Sequence, residues 1–432
     1  MVGDLAGHRV FLESLFRAAV AATHPSTCLP PLLPRPPAGK LILLAAGKAA
    51  GSMAETAEAF YLDKHKLPRE RLVGLAVARR GYGRPTRVVE MIEAGHPIPD
   101  AAGLEAASRA LKLAESAGDQ DLVLVLMSGG ASANWIAPIE GISFTDKQAV
   151  TRALLRSGAN IGEINCVRKH LSRIKGGRLA QHAYPARLAT IAISDVPHDD
   201  PSAIGSGPTV PDPTTLADAR AIVAKYRLDL PASVTRTLNE PKNESPKPGD
   251  KIFANTSFAL AARPADSQRA AEKAVRAAGY DCVSLGDQVE GEAREVAVAQ
   301  AKIARDLRAR GKRAVILSGG ELTVTIRGNG RGGPNQEYAL ALAIALDGMP
   351  GVAAISADTD GTDGGFGDPN DPAGAIVTGD TVARAKALGL DPAAFLADND
   401  STGFFTALKG LLLTGPTYTN VNDFRAIVVD TV

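Results

Sequence analysis

Short runs of consecutive apolar residues recur along the chain, and the stretches between them carry apolar positions three and four apart. The runs Leu41–Ala46, Leu72–Ala78, Leu122–Met127, Leu188–Ile193, Ile252–Asn255, Cys282–Leu285, Ala314–Leu317, Val352–Ile355 and Ala426–Val429 read as strands. The intervening Ala49–Phe60, Ala101–Ala117, Asp146–Ser157, Gly291–Arg310 and Gln336–Leu346 read as helices. Near the N-terminus, Val10, Phe11, Leu15 and Val20 share one face of an amphipathic helix. Strands alternating with helices predict an α/β protein built on parallel sheets covered on both faces. The segment Asn239–Asp250 is polar and holds three prolines, which predicts an exposed linker. It divides the chain into an N-terminal domain, residues 1–238, and a C-terminal domain, residues 251–432. The proline-rich Thr27–Gly39 reads as a stiff connector into the first strand.

Two domains also suit a length of 432 residues. A hydrophobic content of 45% with 22% charged residues supports real cores. Aromatic residues at 4% and a net charge of +1 leave neither stacking platforms nor a basic footprint, which excludes a nucleic-acid partner. Cys28, Cys166 and Cys282 are far apart and without a CxxC pair, as in a reducing cytoplasm, so neither disulfides nor zinc is expected. The apolar runs fall far short of the ~20 residues that cross a bilayer.

Five glycine-rich loops follow apolar runs. After Leu41–Leu44 comes AAGKAA, where Gly47 turns the chain and Lys48 enters the first turn of the next helix. A cation there opposes the helix dipole, so either an anion shares the site or the lysine is a solvated surface group. The spacing is not that of a P-loop. After Leu122–Met127 comes Ser128-Gly129-Gly130, whose small residues admit a ligand or simply make a turn. Asp195 stands just past Ile193 in AISDVPHDDPSAIGSGP, as a base or Mg²⁺ ligand would; Asp199 and Asp200 suit loop capping. Asn165–Arg178 reads as a basic helix closed by Gly176-Gly177, whose charges are either a solvated face or, through Arg168, Lys169 or Lys175, a contact to a phosphate.

The richest stretch is AVILSGGELTVTIRGNGRGGPNQE. Its strand ends in Gly319-Gly320 and delivers Glu321, an alternating strand through Leu322, Val324 and Ile326 follows, and Arg331, Gly332 and Gly333 precede a helix. Backbone without side chains, a guanidinium and a helix N-terminus together suit a phosphate-bearing ligand. In SADTDGTDGG, Asp358, Asp360 and Asp363 crowd one loop and repel one another unless a hard cation neutralises them. Asn420 and Asn422 precede the last strand and can supply amide contacts.

Taken together, AAGKAAGSMAE, GHPIPD, MSGGASA, NCVRKHLSRIKGGRLA, AISDVPHDDPSAIGSGPTVPDPTT, SGGE, GRGGPNQE, SADTDGTDGG and TNVND resemble the glycerate 2-kinase family, over nearly the whole chain. The resemblance implies a Rossmann-like N-terminal domain, a C-terminal MOFRL domain and a cleft between them. It implies ATP-dependent phosphorylation of the C2 hydroxyl of D-glycerate with Mg²⁺, with a homo-oligomer left open. Carried over by motif, Lys48, Arg331, Asp195, Glu321, Asp358, Asp363 and Asn422 match the family's cleft positions. Phosphoryl-transfer chemistry then gives Lys48 and Arg331 to the phosphoryl group and the glycerate carboxylate and makes Asp195 the base candidate, with the division of base and Mg²⁺ roles among the carboxylates left open. Ser128, Gly129, Gly130 and Asn422 fall to substrate, Gly319, Gly320, Gly332 and Gly333 to the nucleotide, and Glu321, Asp358 and Asp363 to Mg²⁺. The alternative is an NAD(P)H-dependent hydroxypyruvate reductase, against which GKAAGS departs from G-x-G-x-x-G. A sugar-phosphate-binding regulator would explain the anion loops but not the carboxylate cluster.

Overall fold

A computed structural model of the chain describes residues 5–365 and 367–430. It divides into two compact units, Leu29–Ala261 and the remainder, the latter combining the chain up to Cys28 with everything from Ala262 onward.

The first unit is built on six strands: β1 Leu41–Ala46, β2 Leu72–Arg79, β3 Glu90–Ala94, β4 Leu122–Met127, β5 Arg187–Ile193 and β6 Thr256–Ala262. Their order in the sheet is β3-β2-β1-β4-β5-β6, and the pairs from β3 through β5 are parallel. Every residue of β1 and β4 is buried, which is why both read as unbroken apolar runs. Helix Ala101–Glu115 presents Ala106, Ala107, Ala110, Leu111 and Ala114 to this sheet. Its small side chains allow close approach, and Asp100 caps its first turn by accepting from the Gly103 amide. A satellite core gathers Val150, Leu154, Val167, Leu171, Leu216 and Val234.

The second unit contains β7 Asp281–Ser284, β8 Gly291–Glu292, β9 Ala314–Gly320, β10 Leu322–Thr323, β11 Val352–Asp358, β12 Gly374–Thr378, β13 Leu411–Leu412 and β14 Asp423–Val429. Six form a sheet in the order β13-β12-β11-β14-β9-β7. Only β7 and β9 pair in parallel; the other neighbours are antiparallel. The expectation of parallel sheets throughout therefore fails here. Helices cover both faces, so antiparallel strands show the same unbroken apolar runs as parallel ones. On one face Leu12, Leu15, Phe16 and Ala19 of the helix Leu5–Thr23 pack on Val315, Leu317, Ile355 and Phe424. On the other, helix Pro334–Leu346 is buried almost all round and lies against the alanine stripe Ala293, Ala297, Ala301 and Ala304.

Three local expectations also change. The boundary segment Asn239–Asp250 is bound into the first unit: Glu244 pairs with His170 at 3.0 Å, Arg178 donates to the Asn243 carbonyl at 2.5 Å, and Ser245 to Asp212 at 2.9 Å. Its prolines mark turns on a packed surface, and the chain divides at Ala261/Ala262 instead. The strand read at Ile252–Asn255 begins only at Thr256. The alternating strand after Glu321 shrinks to Leu322–Thr323, and Ile326 is 81% exposed.

Asp363 organises the second unit. Its Oδ1 accepts from the Asn335 amide (2.9 Å) and Nδ2 (3.2 Å), and its Oδ2 from the Gln336 amide (2.8 Å) and Nε2 (3.1 Å). A carboxylate thus fills the N-terminus of the Pro334–Leu346 helix, where the dipole favours it. Asn335 Nδ2 also donates to Asp423 at 2.6 Å, and Arg425, fully buried, clasps Asp423 at 2.8 Å.

Removing the Asp363 acceptor strands four buried donors, so Asp363→Ala is expected to cost roughly 2–4 kcal/mol in urea unfolding followed by circular dichroism. Burial outweighs these donors and pushes the Asp363 carboxyl up to about 7, with neighbouring Asp423 adding to the rise. A folded pKa above the unfolded value means proton uptake on folding. The stability this group contributes is therefore full below about pH 4 and lost as pH rises toward 7. Asp363→Asn, which cannot titrate, is expected to flatten that part of the pH–stability profile; an unchanged slope would show that other groups carry it.

Candidate functional site

Strand order turns around between β1 and β4: the chain builds outward through β2 and β3 on one side and through β4 and β5 on the other. In open α/β sheets ligands bind beyond the carboxyl ends of strands at such a switch point. Three of the loops singled out in the sequence emerge there. Lys48 follows β1, Ser128-Gly129-Gly130 follows β4, and Asp195 follows β5, on three adjacent strands.

The first two loops interlock. Gly47 has φ of +119°, and a Cβ on it would overlap Ser128 Oγ and the Ser128 carbonyl, so only glycine fits. The Lys48 amide donates to the Gly129 carbonyl at 2.8 Å, and the Ala49 amide to Ser128 Oγ at 2.9 Å. Ser128 is fully buried, so its hydroxyl holds the turn in place of contacting a ligand directly. Gly130, with φ of +84°, begins the helical turn Ala131–Asn134, and a Cβ there would lie 2.9 Å from His96 Cδ2 and 3.3 Å from Lys48 Cγ. Lys48 and His96 thus flank Gly130. His96 belongs to GHPIPD, yet nothing in that spacing singles it out, because its position depends on the strand order.

Just beyond, Ser132 Oγ accepts from Arg168 Nη2 at 2.7 Å and from Lys175 Nζ at 2.8 Å. Lys169 instead pairs with Asp212 at 3.4 Å, both side chains buried, and is a structural ion pair. Asp200 accepts from the Ser202 amide and hydroxyl, each at 2.8 Å, as the loop-capping reading expects.

In the second unit the remaining residues collect at one end of the sheet. Gly320 closing β9, Asp423 opening β14 and Asp358 closing β11 are in register across neighbouring strands. Asp358 is half-buried and its Oδ1 accepts from the Asp360 amide at 2.8 Å, while Glu321 is exposed just past β9. Two strand spacings, roughly 10 Å, separate the backbones of β9 and β11. Asn422 has φ of +63°, and its carbonyl accepts from the Thr359 amide and hydroxyl. Arg331 is 58% exposed, with Nη2 3.7 Å from Asp371.

One expectation needs correction. Asp363 is only 2% exposed and both its oxygens serve the helix, so it is not a metal ligand. Asp360 is buried, and its Oδ1 accepts from the Thr362 amide and hydroxyl. Backbone amides of the loop take up one oxygen each of Asp358 and Asp360. Among the described residues no three His, Cys, Asp or Glu side chains are grouped to hold a metal ion. At the glycines assigned to the nucleotide, protein atoms crowd the Cβ position. A Cβ on Gly320 would overlap the Val289 backbone, on Gly332 Ser401 Oγ, and on Gly333 Asp363, while Gly319 lies 3.2 Å from Asp287 Cα by the same measure. Amides of the preceding loop are also taken: those of Arg327 and Gly328 donate to Asn399, of Asn329 to Asp398 and of Arg331 to Asp400. No described helix is long and apolar enough to cross a membrane.

Residues 11–239 match the family described as a domain of unknown function, DUF4147, and residues 314–423 match the MOFRL family. The chain is 46% identical over 427 residues to an Agrobacterium vitis protein named "Putative hydroxypyruvate reductase", covering 98% of this chain and 94% of that one. It is 38% identical over 414 residues to D-glycerate 2-kinase of Thermotoga maritima, covering 95% of each. A crystal structure of glycerate kinase from Thermotoga maritima matches with a TM-score of 0.86 at 37% identity, covering 98% of this chain and 100% of that one. With both family regions in order and full-length relatives at this identity, the chain belongs to the glycerate 2-kinase family.

Proposed function

We propose that this chain transfers the γ-phosphoryl group of ATP to the C2 hydroxyl of D-glycerate, giving 2-phosphoglycerate and ADP. The observation that carries this reading is the turn at Lys48. The strand order is that of dinucleotide-binding sheets, but a dinucleotide turn offers free backbone amides to a pyrophosphate. Here the amides of Lys48 and Ala49 are spent on Gly129 and Ser128, and the turn offers a lysine side chain instead. That favours charge stabilisation of a transferring phosphoryl group over hydride transfer from NAD(P)H to or from hydroxypyruvate. Full-length relatives named for the kinase reaction support the same choice.

Phosphoryl transfer needs positioning and charge neutralisation more than covalent chemistry. Lys48 and Arg331 are cations suited to neutralising phosphoryl oxygens, and Asp195 is suited to accept the proton of the C2 hydroxyl. Ser128, Gly129 and Gly130 shape the pocket floor beside Lys48, and the Asn422 amide contacts substrate. Mg²⁺, when bound with ATP, supplies further neutralisation of phosphate charge. It keeps several waters and takes one or two carboxylates, so it needs no three-carboxylate cage. The half-buried Asp358 at the end of β11 fits that need, and Glu321 offers a second hard oxygen. The three cysteines are free thiols, in keeping with a cytoplasmic enzyme.

³¹P NMR of enzyme, MgATP and D-glycerate is expected to show 2-phosphoglycerate and ADP, with no NADH oxidised when hydroxypyruvate replaces glycerate and ATP is omitted. NADH consumption without phosphoryl transfer would replace the kinase with the reductase. Lys48→Ala is expected to lower kcat by about 10²–10³, the ~2.7–4 kcal/mol lost with one preorganised electrostatic donor, without changing the melting temperature. A folded variant of near-normal kcat would reduce Lys48 to surface charge. Asp358→Asn is expected to raise the Mg²⁺ concentration for half-maximal rate. An unchanged Mg²⁺ titration would move the metal to other oxygens, Glu321 first.

A further inference from the structure

Arg168, Lys175 and Lys147 form a cluster of cations that the phosphoryl-transfer reading does not use. Lys147 and Lys175 are 2% and 1% exposed, and Arg168 is partly buried. None of the three has a carboxylate partner among the described residues. Lys147 Nζ satisfies itself on the carbonyls of Arg168 (2.8 Å) and Leu171 (3.1 Å), where helix Ile161–His170 ends. Lys175 Nζ donates to the Ser132 carbonyl at 2.7 Å and, together with Arg168, to the Ser132 hydroxyl.

With two cations donating to it, the Ser132 oxygen has no lone pair left, so its proton goes to Ser206 Oγ at 3.1 Å. Ser206 in turn donates to Asn165 Oδ1 at 3.3 Å. The chain of hydroxyls is fully directed and holds both cations toward one point. Arg168 makes a single hydrogen bond from its five-donor fork, and its buried Nε has no partner. Burial lowers the pKa of all three groups; repulsion from Arg168 and Arg178 lowers Lys147 further, and repulsion from Arg168 and Lys147 lowers Lys175 further. Buried like charges without a counter-ion are costly and persist where an anion completes the site. Ser132 and Arg168 keep partial exposure, which leaves the cluster reachable. Ser132 lies on the turn that begins at Gly130, beside the stem of Lys48.

We propose that Arg168 and Lys175, held by Ser132, bind the carboxylate of the acceptor and so select a 2-hydroxy acid over a neutral polyol. The acceptor rests on the kinase reading above; the oxyanion site does not. A guanidinium fork matches a carboxylate bidentately, while the buried ammonium adds a second charge. ATP phosphates offer the same oxyanion chemistry, and the two sources separate kinetically.

The test is steady-state kinetics and titration calorimetry on Arg168→Gln, Arg168→Lys and Lys175→Met. Arg168→Gln is expected to raise KM for D-glycerate about 100-fold while KM for ATP holds. Arg168→Lys, which keeps charge but not the fork, should fall between. Lys175→Met, near-isosteric and buried, guards against misfolding of the arginine variants. In calorimetry, D-glycerate should bind the wild type and glycerol should not, with D-glycerate binding lost in Arg168→Gln. A rise in KM for ATP alone would give the cluster to phosphate and overturn the proposal. So would unchanged KM values in folded variants, which would leave the cluster structural. D-glycerate binding that depends on Arg168 in a protein without phosphoryl transfer would uphold this site and reject the kinase reading instead.

Discussion

The carboxylate of Asp363 at the N-terminus of helix Pro334–Leu346 is the contact on which the second unit turns. Through Asn335 it reaches Asp423, and through Asp423 it reaches Arg425, which also donates to the carbonyl of Gly319 at 2.6 Å. Three segments distant in sequence, the acidic loop, the glycine-rich loop and the final strand, are therefore tied by one polar network with almost no solvent. Such a network is costly if half made and stiff when complete. Asp358 and Glu321 stand at the same end of the sheet as this network.

A steric constraint does the corresponding work in the first unit. The turns after β1 and β4 are pressed together until Gly47 has no room for a side chain and Ser128 completes the next helix's N-terminus. Small residues here serve contact between loops first, and ligand approach only as a result. The same lesson holds for Gly320, Gly332 and Gly333, where protein atoms occupy the space that a sequence reader would give to phosphate. Glycine reports close approach but not the identity of the approaching atoms.

Charge behaves in the same way. Asp363 looks like part of a cation site when Asp358, Asp360 and Asp363 are read in order, because repulsion between neighbours in sequence is visible and the amide donors of Asn335 and Gln336 are not. Arg168 and Lys175 look like a solvated face for the converse reason: their burial depends on Ser132, some forty residues earlier, and on loops after β5. The place of Lys48 and Asp195 at strand ends could be read from sequence because each closely follows an unbroken apolar run. His96 and Asp423 carried no such local mark.

By itself the sequence determined the α/β class, most strands and long helices, the two-unit scale and, through long ordered motifs, the family. These properties follow from local periodicity and from contiguous segments, which one chain displays in full. The tertiary structure decided the antiparallel character of the second sheet, since strands covered on both faces look alike whichever way they run. It also decided that the chain divides at Ala261/Ala262, with the first helix joining the C-terminal unit. Above all it decided which charges are satisfied, because hydrogen-bond partners are set by distance in space, and a sequence records only distance along the chain.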